Sequence, residues 1–167
     1  EKSAVIFSTR SKRPDSVEMA RRFGANRVEW VYTSDRAFVQ QLKDVVPWFG
    51  GTINANGPLP SHDGYAQDFD GAPLTPPWMK AWGARWITTT HPHSQKVIAD
   101  QISRFVAMGA DSIQVDDPNF QYHGALFHGG DFNPSTLAGF PDFLARYPDR
   151  GQLKNLGLDG FDGNYKD

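Results

Sequence analysis

At 167 residues, the chain is long enough to bury one sizeable hydrophobic core. Its 17 basic and 19 acidic residues leave a formal net charge of −2, which argues against nucleic acid or an anionic membrane as partner and favours a neutral or weakly charged one. Cysteine is absent, which excludes disulfides, thiolate metal sites and cysteine nucleophiles, and no apolar run approaches the ~18 residues of a membrane span.

The apolar run Ala4-Val5-Ile6-Phe7, followed by polar Ser8-Thr9-Arg10, predicts a buried parallel strand opening into a polar loop. Asp15-Ser16-Val17-Glu18 has capping-box spacing, and Val17, Ala20 and Phe23 share one face of a helix that Gly24 ends. Residues 28–32 predict a second strand. Ser34 or Asp35 then caps a helix whose buried stripe is Phe38, Leu42 and Val45, stopping before Pro47. Residues 49–54 predict a third strand, with Gly50 and Gly51 permitting close backbone approach.

Residues 56–77 hold prolines at 58, 60, 73, 76 and 77 among Gly, Asp and Asn, and predict a long irregular loop. A β-rich stretch at 85–91 precedes a helix over 94–108, with Val97, Ile98, Ile102, Phe105 and Val106 on one face and Gly109 at its C-cap. Residues 112–115 predict the fourth strand, ending in Asp116-Asp117-Pro118. The His- and Gly-rich run 120–130 predicts loop. Asn133-Pro134 opens another helix that Pro141 is expected to break or kink. No strong period follows Pro148.

The alternation of strand and helix predicts an α/β fold of consecutive parallel (β/α) units, a partial (β/α)₈ barrel in one domain over 1–167, since a whole one usually takes roughly 250 residues. In such folds the site forms at the carboxyl ends of the strands. That rule selects Ser8, Thr9 and Arg10, then Trp30 and Tyr32, Asn54 and Asn56, Thr90 and His91, and lastly Asp116 and Asp117. Glu29, inside the second strand, points either into the barrel or outward to a helix. The chain is 13% aromatic, more than a polar loop region would carry, so most of these rings are assigned to the core and the rest to a cleft. Trp78, Trp82 and Trp86 recur every fourth residue and fit either use. Trp30, at a strand end, is the chosen stacking platform.

Residues 109–118, Gly-Ala-Asp-Ser-Ile-Gln-Val-Asp-Asp-Pro, resemble the GxDGIxxDDP turn of glycoside hydrolase (β/α) barrels, including hypothetical glycosyl hydrolases. The helix starting near His93-Ser94 and the run HGGDFNPSTLAGFPDFLARY (128–147) resemble the same families. The likeness is clearest over 85–147. It implies a neutral saccharide as partner and a catalytic acidic site at Asp116 and Asp117, with Asp116 the nucleophile or a substrate-binding group and Asp117 the second choice. Glycoside cleavage needs two carboxyl groups. Adjacent strand residues point to opposite sides, so these two are not expected to be that pair. The second carboxylate is expected elsewhere.

With Arg10, Trp30, Tyr32, Asn54, His91 and His123 as substrate contacts, the first expectation is a glycoside hydrolase-type barrel portion, requiring no cofactor and no metal. A non-catalytic carbohydrate-binding module of barrel origin is the first alternative. The second is a metal-dependent hydrolase using His91-Pro92-His93 with Asp116, His123 and His128. Four strands leave open barrel edges, so self-association or the remaining half of a longer chain is expected as partner. The start on Glu1 rather than Met gives an expectation of secretion or export to the periplasm.

Overall fold

The structure, a computed structural model, describes residues 3–55, 59, 62–116 and 130–161. Two compact units divide the chain: residues 1–55 with 96–118, and residues 56–95 with 119–167.

The first unit is α/β. Strands β1 (Ile6–Ser8), β2 (Arg27–Val31), β3 (Phe49–Asn54) and β4 (Ser112–Asp116) form one all-parallel sheet in the order β1-β2-β3-β4. Helices α1 (Ser16–Arg22), α2 (Arg36–Lys43) and α3 (Pro92–Ala107) link successive strands, α3 entering this unit from Lys96 onward. The core gathers Ala20 from α1, Phe38, Val39 and Leu42 from α2, Phe105 from α3, and Val28, Val31, Phe49 and Ile53 from the sheet. Asp35 caps α2 by accepting from the Phe38 N–H at 2.9 Å, which orients its apolar stripe toward that core. Two glycines in β3 separate the sheet's faces. A Cβ on Gly51 would stand 2.4 Å from the buried Phe105 ring, and one on Gly50 would meet Glu29 and Ser112 on the opposite face.

Several expectations are corrected here. The first strand starts two residues late: the Asn26 side chain takes the Val5 N–H, while the Val5 carbonyl accepts from the N–H groups of both Asn26 and Arg27. Asp15 has a helical backbone and makes no capping bond, and Glu18 pairs with Arg21 and Arg22, so no capping box forms. Phe23 is 61% exposed, since α1 ends at Arg22. Val106 is 60% exposed, because its neighbour Phe105 takes the buried face of α3.

The second unit ties the irregular stretch after residue 62 to the start of its later helix: the buried Asn133 carboxamide donates to the Asp63 and Tyr65 carbonyls, and the Asp131 carboxylate accepts from the Gln67 N–H. Residues 85–91 form no strand; Ile87 makes one antiparallel bridge to Tyr65. The Trp86 N–H donates to Leu74 O and its carbonyl accepts from the Ala66 N–H, closing a small core of Ala66, Leu74 and Trp86. Short 3₁₀ turns cover His62–Gly64 and Pro77–Trp82. Helix α4 (Pro134–Arg146) runs through Pro141 without a break; proline removes one donor there, and its ring lies exposed. Helix α5 (Arg150–Asn155), unforeseen from periodicity, is capped by the Asp149 carboxylate accepting from Gln152 N–H at 2.8 Å. The expected loop at 120–130 lies, except for Gly130, outside the described residues.

Candidate functional site

Because the four strands are parallel, their carboxyl ends share one rim of the first unit, as the sequence rule requires. Asn54 and Asp116 are register partners at the ends of β3 and β4, and the Ala55 N–H donates to the Asp116 carbonyl at 3.0 Å. The half-exposed Asp116 carboxylate accepts a short hydrogen bond at Oδ2 from the hydroxyl of Tyr32. Tyr32 follows β2, so this bond spans β3 and ties the ends of two non-adjacent strands.

Trp30 has φ 61°, the one non-glycine residue in the left-handed region among those described. For a bulky side chain this is an outlier, costing on the order of 1–3 kcal/mol. The Arg10 guanidinium lies over one face of its indole, 5.3 Å from the centroid, and the Tyr32 ring is tilted against it at 6.4 Å. Arg10, Trp30, Tyr32, Asn54 and Asp116 therefore all belong to one unit and sit at or just past strand ends.

His91 belongs to the second unit. Its Nδ1 accepts from the His93 N–H at 3.2 Å, and the two imidazoles stack with planes 8° apart. That nitrogen is thus occupied as an acceptor at the start of α3. Among the described residues no group of three His, Asp or Glu is placed to hold a metal ion. Asp117, His123, His128 and Asn56 lie outside the described residues. Of the tryptophans spaced four apart, Trp86 is fully buried, while Trp78 and Trp82 are exposed.

A second polar layer lies near the amino ends of the strands. Buried Glu29 accepts from Arg27 and from the Ser112 hydroxyl, and the Arg27 guanidinium stacks over Trp48 at 4.8 Å. Ser112 and Asp116 are the two ends of β4, so Glu29 stands on the order of 13 Å from Asp116 at ~3.3 Å per residue. Between these layers Thr52, 1% exposed, has a hydroxyl without a hydrogen-bond partner among the described residues. The sequence signal for the lower layer was the pair Gly50 and Glu29 on adjacent strands, which alternation alone does not bring together.

The arrangement can offer a carboxylate held by a phenol, a guanidinium-backed indole and a carboxamide to one polar, ring-bearing ligand. Comparison of the chain with protein-family models, with curated proteins and with solved structures finds no match.

Proposed function

We propose that the parallel sheet is part of a (β/α)₈-type barrel and that its carboxyl-end rim takes a neutral saccharide, with Asp116 as the acidic group of a glycoside hydrolase-type site. The observation that carries this reading is the Tyr32–Asp116 hydrogen bond at the rim, with Trp30 and Asn54 alongside. A phenol donating to one carboxylate oxygen leaves the other free for a sugar hydroxyl or an anomeric carbon. Indole faces stack on the C–H faces of sugars, and Arg10 backs the opposite face of Trp30.

The non-catalytic binding module is favoured by a separate observation. Glycosidase carboxylates stand roughly 5–9.5 Å apart, and Glu29, the one other carboxylate in the described strands, is too distant from Asp116. In this reading Asp116 binds sugar hydroxyls and cleaves nothing. Where hydrolysis does occur, the second carboxylate comes from another part of a longer polypeptide or from a second copy that completes the ring of strands.

A glycan screen of the purified chain, followed by titration calorimetry and a product assay on each ligand found, tests the proposal. Saccharide binding with turnover supports the hydrolase, binding without turnover supports the module, and no saccharide binding overturns both.

A further inference from the structure

We propose that Trp30 is a positioning residue, whose bulge in β2 turns Tyr32 toward Asp116 and so holds the carboxylate through that phenol. The side chains of β2 change phase partway along the strand. Side chains alternate between the two faces of a sheet, so residues three apart belong on opposite faces. Val28 and Val31 are three apart and both fully buried in the core that the helices share. Glu29 and Tyr32 are also three apart, and both bond to side chains of β4, Ser112 and Asp116.

The backbone register carries the same extra residue. Val28 pairs with Phe49 and Val31 with Gly51, three steps on β2 against two on β3. A single inserted residue accounts for every one of these relations, and Trp30, with its positive φ, is that residue. Without it, Tyr32 would take the opposite phase and leave the face that carries Asp116. Glycine adopts this φ at no steric cost. The indole instead occupies it, with the Arg10 guanidinium over its ring and the Tyr32 ring tilted beside it, which links the bulge to the rim.

This deepens the saccharide reading by naming what aims its carboxylate. Its test is read on the Tyr32–Asp116 pair, so it stands or falls apart from any saccharide result. The experiment is a double-mutant cycle on unfolding of the full chain, combining Tyr32→Phe with Asp116→Ala, in the wild-type, Trp30→Gly and Trp30→Val backgrounds. Wild-type protein should show coupling between the two sites. Trp30→Gly, which keeps the positive φ, should retain it. Trp30→Val, whose β-branched side chain resists that φ, should lose it. A merely structural Trp30 would shift the midpoints of all members and leave the coupling in place. Coupling lost in the glycine background, or retained in a folded valine background, overturns the proposal. If the valine background does not fold, Trp30→Ala, whose methyl group also disfavours that φ, takes its place in the cycle: lost coupling upholds the proposal and retained coupling overturns it.

Discussion

Glu29 on β2 reaches the Ser112 hydroxyl on β4 by passing over Gly50, where a Cβ would lie 1.7 Å from its carboxylate oxygen. The strand between them is therefore specified by the absence of a side chain. Gly51 does the same on the other face, beneath Phe105.

Gly51→Ala should accordingly destabilise the chain by about 1–3 kcal/mol through overpacking. Phe105 is buried and its Cβ is itself among the close atoms, so the ring has little room to withdraw. Urea unfolding with an unchanged m-value and a lower midpoint checks this; an unshifted midpoint would mean that α3 yields freely.

Asp35 links two neighbours, and its titration should be visible in acid. The Lys12 ammonium hydrogen-bonded to its carboxylate, followed by the Phe38 N–H, holds the group below the ordinary value of 3.8. A carboxylate lowered in the folded state stabilises above its unfolded value, and that contribution is lost as pH falls through the folded one. Asp35→Asn, which still caps α2 but cannot titrate, should lower the melting temperature at neutral pH and flatten its decline below the ordinary carboxylate range. Parallel thermal scans across acid pH test this, and identical slopes for both proteins would contradict it.

Trp30→Ala should weaken saccharide binding by removing the stacking face, while costing less stability than the ~3–5 kcal/mol of a fully buried aromatic. Trp30 is half-buried, and Arg10 covers one of its faces. Calorimetric titration alongside chemical unfolding separates the two effects. A variant that fails to fold would place Trp30 in the core.

Among the described residues, β1 and β4 each have a single strand neighbour. In the partial-barrel reading these parallel edges are paired by a second copy or by further strands of a longer polypeptide. Light scattering on the purified 167-residue chain should then report concentration-dependent self-association. A monomer at all concentrations would contradict pairing by a second copy.

The sheet was legible in the sequence where one residue pattern admitted one structure. Residues 49–54 formed the expected strand, its glycines leaving room for Glu29 and Phe105 on its two faces, and of the two candidate caps, Ser34 and Asp35, it is Asp35 whose side chain reaches the Phe38 N–H. The rim residues followed from the rule on parallel strands. What escaped notice depends on contacts between distant residues. Nothing local distinguishes Glu18 as an N-terminal cap partner from Glu18 as a partner of Arg21 and Arg22. The stretch 85–91 has strand composition, yet its hydrogen bonds go to Leu74, Gly64 and Ala66 within a loop scaffold. The bulge at Trp30 was illegible for the same reason, since strict alternation would have put Tyr32 on the wrong face.

Whether Asp116 is the acidic group of a saccharide site is read by calorimetric titration of the best ligand from a glycan screen against wild-type protein and Asp116→Asn, with turnover recorded wherever the wild type shows any. Affinity should fall at least about tenfold, equivalent to ~1.4 kcal/mol, and any hydrolysis by orders of magnitude. The melting temperature should stay within a few degrees, because Asp116 is half-exposed and lies outside the apolar core. Unchanged affinity and turnover in a folded Asp116→Asn protein would contradict the account.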